Sequence, residues 1–229
     1  MKKYSFILLS GGVGTRMMSI KPKQFIEING VPIIQYSLQA IKNIQNIKEV
    51  IINYPIGEKS NVKSIVKSSG ISCKVIYVKA GSTRQESVYK MIKKANYKNI
   101  IIHEAARPIV NESTFTNLID SNFKNCGYMS KIPFTVVPVD NETSTVIGNL
   151  QRDSLRNVLL PQKFVLKDLL KAHIKASKNN EKYTEDSTLF IRNTDEKFYF
   201  IDADDRNIKI THPHDLRIVE NILLSKNHE

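Results

Sequence analysis

Short apolar runs and helically spaced apolar positions alternate along most of this chain. Tyr4–Leu9 is a near-continuous apolar run that ends in Ser10-Gly11-Gly12, the pattern of a buried strand entering a loop. Apolar residues at 33, 34, 38, 41 and 44 follow with helical spacing. Glu49–Asn53 then predicts a strand, Lys59–Lys67 a helix and Cys73–Val78 a strand. A helix is expected over Thr83–Ala95, with Val88, Met91, Ile92 and Ala95 inward, and a strand over Asn99–His103. Asn111 or Ser113 caps a helix expected to run to about Asn125. Strands alternating with helices in this way predict an α/β three-layer sandwich around a mostly parallel sheet.

The rhythm breaks after about Lys131. Residues 134–152 carry alternating Val and Thr, a turn-like Asp140-Asn141 and no helical spacing, which predicts an extended β-arm projecting from the sheet. Helical spacing resumes at about Val165–Ser177. Extended segments are expected at Phe198–Asp202 and Asn207–Ile210, and a last helix from Pro213 to Leu224. No repeat or linker interrupts the chain, so residues 1–229 are expected to form one domain.

Composition narrows the class. At 41% hydrophobic and 24% charged residues the chain is globular, neither disordered nor collagen-like. No apolar run approaches the length of a membrane span, and the apolar stretch after Met1-Lys2-Lys3 is too short for a secretion signal. A cytoplasmic protein with no membrane partner is expected. Cys73 and Cys126 stand apart with no C-x-x-C, which points to neither zinc nor a disulfide framework. The net charge of +12 lies in the N-terminal part: residues 1–100 hold 17 Lys and Arg against 4 Asp and Glu. Such a surface attracts phosphates or nucleic acid. However, the lysines are scattered at helical spacings such as 59, 63 and 67, without a basic block or a nucleic-acid-binding signature. A solvated face is the better reading, and no nucleic-acid partner is expected.

Candidate chemistry begins directly after the first strand. Gly11, Gly12 and Gly14 precede Arg16, and glycine lets a backbone approach a phosphate and aim its N–H groups at it. The dinucleotide fingerprint G-x-G-x-x-G fails because Met17 occupies the third glycine position, and no Walker loop is present. Lys21-Pro22-Lys23 follows, with Pro22 stiffening the segment that presents Lys23.

The stretches Gly11–Met17 (GGVGTRM) and Pro22–Phe25 (PKQF) resemble the cytidylyltransferase family that contains the methylerythritol-phosphate and ribitol-phosphate enzymes. The resemblance continues in order through Gly81–Val88, His103–Pro108, Arg152 with Leu160–Phe164, Thr184–Ser187 and Asn207–Leu216. It implies a Rossmann-like nucleotidyltransferase sheet, and a substrate phosphate attacking the α-phosphorus of CTP with release of pyrophosphate. Under it, Arg16, Lys23 and Lys209 are the catalytic cations. Ser10, Gly11, Gly12, Gly14, Gly81 and Ser87 bind nucleotide, with ribose near Glu104 and Ala105. Arg107, Arg152 and Thr184 meet the acceptor phosphate, Arg152 being offered through the arm to a neighbouring subunit of a homodimer. Mg²⁺ is expected to ride on the CTP phosphates, with no dedicated protein ligands. His212 and His214 flank Pro213 at a helix start and are not expected to bind metal.

Glu104 stands where the family usually has Asp, and Leu160 where it usually has Thr. The departures gather on the acceptor side. The Gln151-Arg152-Asp153 wording and the glycine loop favour a small polyol phosphate of the ribitol 5-phosphate type as acceptor. Methylerythritol phosphate, favoured by Ala105-Ala106-Arg107, is the alternative. A nucleotide-binding scaffold without activity is the non-enzyme alternative.

Overall fold

The structure, a computed structural model, describes residues 1–12, 14, 17, 21–203 and 206–225. In chain order the elements are β1 (Tyr4–Leu9), β2 (Glu27–Ile28), β3 (Val31–Pro32), α1 (Ile33–Ile41), β4 (Ile47–Tyr54), α2 (Lys59–Ser68), β5 (Lys74–Lys79), α3 (Arg84–Ile92), β6 (Asn99–Glu104), α4 (Glu112–Asp120), β7 (Cys126–Lys131), β8 (Val139–Asp140), β9 (Thr145–Val146), β10 (Arg156–Val165), α5 (Leu166–Lys178), α6 (Asp186–Asn193), β11 (Tyr199–Asp202) and α7 (Pro213–Ser225). Seven strands form one sheet in the order β11-β7-β10-β6-β1-β4-β5. Within it β10 alone runs antiparallel to its neighbours.

The expected three layers follow from strands buried on both faces. Phe6, Leu8, Val50, Ile52 and Ile101 pack toward Ile34, Leu38, Val62, Phe115 and Leu118 of α1, α2 and α4. Their sequence neighbours Ile7, Ile51, Ile100 and Ile102 point the other way, toward Val88, Met91, Leu169 and Leu189 of α3, α5 and α6. The chain passes from β1 to β4 and β5 on one side and returns to β6 on the other, so β1 and β6 flank the point where strand order reverses. A crevice opens there beyond the carboxyl ends of the strands.

Several expectations are corrected. The helix capped by Asn111 ends at Asp120 rather than near Asn125, because Ser121 turns extended and the chain enters β7. Asn207–Ile210 is not a strand. Ile210 N–H donates to the Ala106 carbonyl at 2.8 Å and Arg107 Nη1 to the Asn207 carbonyl at 2.6 Å, so the segment is tied down by single bonds rather than a ladder. Strand β10 and helix α6 lie where no element was expected. The arm does form a hairpin: Val139 pairs with Val146 and Asp140 with Thr145, and Asp140 Oδ1 accepts the N–H of Glu142 at 2.8 Å in an Asx turn.

Two histidines are buried in this core. His103 on β6 sets its Nε2 3.2 Å from the Arg107 carbonyl, so that nitrogen carries the proton, and meets the Phe115 ring edge-on. His173 on α5 stacks on Tyr89. Burial pushes the pKa of each down to about 4. Unfolded imidazoles take up protons near pH 6.5, so the stability these two groups contribute is full above that pH and is lost as the pH falls to about 4. Urea denaturation at stepped pH should show a loss of about 1.4 kcal/mol per pH unit per imidazole in that window. His173→Phe, which keeps the stacked ring, should remove roughly half of that slope; an unchanged slope in His173→Phe would show that His173 is already protonated in the fold.

Candidate active site

The crevice is a cavity of about 380 Å³ at the carboxyl ends of β1, β4 and β6. Its floor is backbone. Ser10 N–H donates to Asn53 Oδ1 at 2.6 Å, Ser10 Oγ donates to the Asn53 carbonyl, and Gln24 Nε2 donates to the Ser10 carbonyl at 2.7 Å. These bonds hold the turn after β1 against β4. Only glycine fits the next position, since a Cβ on Gly11 would come within 2.5 Å of Ala80 Cβ and of the Asn53 amide. Gly14 adopts φ +68°, which glycine adopts without a steric penalty. One wall comes from the turn before α3, where Gly81 N–H donates to Ser87 Oγ at 2.9 Å. Thr83 caps α3 by accepting the Glu86 N–H.

A cluster of ion pairs fills the wall between β6 and the C-terminal segment. Arg84 Nε lies 2.7 Å from Glu104 Oε1, and Arg84 Nη2 lies 2.8 Å from Asp186 Oδ2. Lys209 Nζ reaches Glu104 Oε2 at 2.6 Å. Burial alone would raise the Glu104 pKa, but the charges of Arg84 and Lys209 outweigh it and hold the carboxyl well below the usual range. Burial likewise works against the Arg84 charge, and Asp186 and Glu104 overcome it. Lys23 joins from the N-terminal loop. Its Nζ donates to the Ile210 carbonyl at 2.8 Å, next to Lys209 in the chain, so two cations separated by most of the sequence converge on one cavity.

Of the residues singled out from the sequence, Ser10, Gly11, Gly12, Lys23, Gly81, Ser87, Glu104, Ala105 and Lys209 line this cavity. Gly14 does not line the cavity, and a Cβ there would meet the Lys23 stem at 3.3 Å. Arg16 lies outside the described residues. Arg107, Arg152 and Thr184 do not line the cavity. Arg107 donates from Nη1 to the Asn207 carbonyl, while Thr184 is exposed. Arg152, exposed at the base of the arm, donates to the Pro133 carbonyl at 3.3 Å. Sequence reasoning missed Asn53, Gln24, Arg84 and Asp186. Arg84 and Asp186 stood inside matched stretches, but nothing in the sequence signalled that they would meet.

The ion-pair cluster is a stability feature as well as a wall of the site. Removing one member of a buried charge cluster leaves the others uncompensated, at about 3–5 kcal/mol. Arg84→Met should therefore lower the unfolding free energy by about that amount in urea denaturation. Arg84→Lys should recover part, because an ammonium cannot span both carboxylates as the guanidinium fork does. A loss below about 1 kcal/mol in Arg84→Met would show the cluster to be screened by water.

Comparison with known proteins agrees with the geometry and corrects the acceptor. The family model for 2-C-methyl-D-erythritol 4-phosphate cytidylyltransferase matches residues 5–225. A relative of that name from Clostridium botulinum (strain ATCC 19397 / Type A) is 33% identical over 227 residues, covering 97% of this chain and 98% of its own length. Another, from Bacillus mycoides (strain KBAB4), is 28% identical over 221 residues, covering 96% of this chain and 97% of its own length. The solved 4-diphosphocytidyl-2C-methyl-D-erythritol synthase of Anaerococcus prevotii DSM 20548 superposes with a TM-score of 0.84 at 25% identity, covering 97% of this chain and 96% of that one. The expectation of a ribitol 5-phosphate acceptor is overturned by these matches, because family model and relatives alike carry the methylerythritol-phosphate description. The local wording around Gln151–Asp153 was too short to outweigh a match along nearly the whole chain. This chain belongs to the 2-C-methyl-D-erythritol 4-phosphate cytidylyltransferase family, and is a nucleotidyltransferase.

Proposed function

We propose that the chain transfers the cytidylyl group of CTP to 2-C-methyl-D-erythritol 4-phosphate, releasing pyrophosphate, as a cytoplasmic step of isoprenoid precursor synthesis. The observation that carries this reading is the convergence of Lys23 and Lys209 on the cavity beside the Ser10–Gly12 backbone. A phosphate monoester is largely ionised at neutral pH, with its second pKa near ~6, so the acceptor needs no general base. The protein's work is positioning and neutralisation of charge. Lys23, Lys209 and Arg16 bind the triphosphate and stabilise the charge that builds as pyrophosphate leaves. The backbone of Ser10 and Gly81 and the hydroxyl of Ser87 read the cytosine edge, and Glu104 and Ala105 border the ribose. Arg107, Arg152 and Thr184 hold the acceptor phosphate.

The residues present fit Mg²⁺ as an ion carried by the nucleotide. The two carboxylates of the ion-pair cluster, Glu104 and Asp186, are already engaged by Arg84 and Lys209, which leaves phosphate oxygens as its main ligands. Glu104 is the carboxylate of the cavity lining that could turn toward it. Bound there, the ion would neutralise triphosphate charge and favour departure of pyrophosphate.

The arm supports the reading of a homodimer. Phe134, Val139, Val146 and Ile147 are all at least half exposed, an apolar surface that a second arm would cover. Among the described residues no helix is long and apolar enough to cross a membrane.

Pyrophosphate release from CTP and Mg²⁺ should depend on 2-C-methyl-D-erythritol 4-phosphate. Release with another polyol phosphate and not with this one would overturn the acceptor. Lys23→Ala should lower kcat by roughly 10²–10³. Arg152→Ala should mainly raise the acceptor KM and leave CTP binding intact, with Arg152→Lys restoring part. Abolished CTP binding in Arg152→Ala would show the two sides assigned the wrong way round. Light scattering at micromolar concentration should give twice the chain mass of 26.1 kDa. A chain that stays monomeric would leave Arg152 without its neighbouring site.

A further inference from the structure

The start of α7 carries a cluster that the cytidylyl transfer does not use. His212, His214 and Asp215 each offer a ligand atom, and these atoms lie within 4.8 Å of one another. His214 Nε2 is 3.1 Å from Asp215 Oδ1, and His212 Nδ1 is 3.9 Å from Asp215 Oδ2. The carboxylate is fixed before any ligand arrives. Asp215 Oδ2 accepts the N–H groups of Thr211 and His212, each at 2.8 Å, and this leaves Oδ1 turned toward the imidazole. A ligating carboxylate oriented by its own hydrogen bonds is the support that metal sites use. The two imidazoles are open to solvent, with side chains 49% and 72% exposed.

We propose that His212, His214 and Asp215 bind one divalent transition-metal ion of the zinc class, separate from the Mg²⁺ of the nucleotide. Two imidazole nitrogens and one carboxylate oxygen select such ions over Mg²⁺, which prefers oxygen donors and dehydrates reluctantly. Tetrahedral zinc with bonds near 2.0–2.1 Å sets its donors about 3.4 Å apart, so the cluster must tighten by little more than an ångström. The rings lie nearly parallel, 4° apart with centroids at 5.5 Å, and one must turn for both in-plane lone pairs to meet one ion. Their exposure permits that turn. The positive end of α7 opposes a cation, so the side chains alone supply the affinity. Three protein ligands leave a position for water. The site bears on the cavity through one segment: Asp215 anchors the backbone at 211 and 212, directly after Lys209 and Ile210, which hold Glu104 and Lys23.

The test is metal titration of the tag-free, chelator-stripped chain without nucleotide, which reads the site independently of catalysis. Isothermal titration with Zn²⁺ should show one saturable ion per chain. Co²⁺ should give visible absorption bands of a low-symmetry site. His212→Ala and His214→Ala should each weaken Zn²⁺ binding about tenfold or more, and the double variant should lose both the strong phase and the Co²⁺ bands. Millimolar Mg²⁺ should not compete. Far-UV circular dichroism of the variants guards against misfolding, which is not expected at positions so exposed. No saturable uptake by the unsubstituted chain, or undiminished uptake by the double variant, would overturn the site.

Discussion

A guanidinium held between two buried carboxylates organises the cavity at the carboxyl end of the sheet. Arg84 opens α3, Glu104 ends β6 and Asp186 opens α6, and Arg84 bonds to both acids. Three elements remote in sequence thereby share one charge network at the rim of the sheet. Lys209 then attaches the C-terminal segment to the same Glu104. Burial works against the charges of Arg84 and Glu104, and their ion-pair partners outweigh it. The crevice is thus walled by groups whose positions depend on one another, and the backbone floor at Ser10–Gly12 is the part of the site that does not rely on them.

Much of the architecture was legible because the inner strands are apolar on both faces. β1, β4 and β6 read directly, since Phe6 and Ile7, or Ile101 and Ile102, serve opposite layers and leave continuous apolar runs. β10 was illegible for a matching reason. Its buried stretch contains Pro161, Gln162 and Lys163, and its pairing with β7 shifts register between Val158 and Gln162. The Lys163 ammonium is buried because it donates to the Ile119 carbonyl and to the carbonyl and hydroxyl of Ser121, partners that no local pattern announces. Asn207–Ile210 failed the other way: Ile208 and Ile210 alternate like a strand, yet they are apolar because they cover α1 and α7 beneath the crossing segment.

The site divides similarly. Lys23 and Lys209 could be singled out because each sits in a short stretch with its own wording. Their meeting through the Ile210 carbonyl is a tertiary fact. The acceptor was misread for a related reason. A few residues of an exposed arm, whose side chains contact little in a single chain, carry less information than the ordered core stretches that place the whole chain in its family.

The charge network also bears on how a triphosphate would enter. Lys209 is the more exposed partner of its pair, at 36% against 10% for Glu104. Glu104 would keep Arg84 if Lys209 left, because the two cations use different oxygens of the carboxylate. Lys209 can therefore turn toward phosphate without stranding the buried acid, whereas Arg84 cannot without stranding Asp186. The geometry separates a cation paired with both acids from one paired with Glu104 alone. Glu104 is the residue at which the two cations meet, one on each carboxylate oxygen.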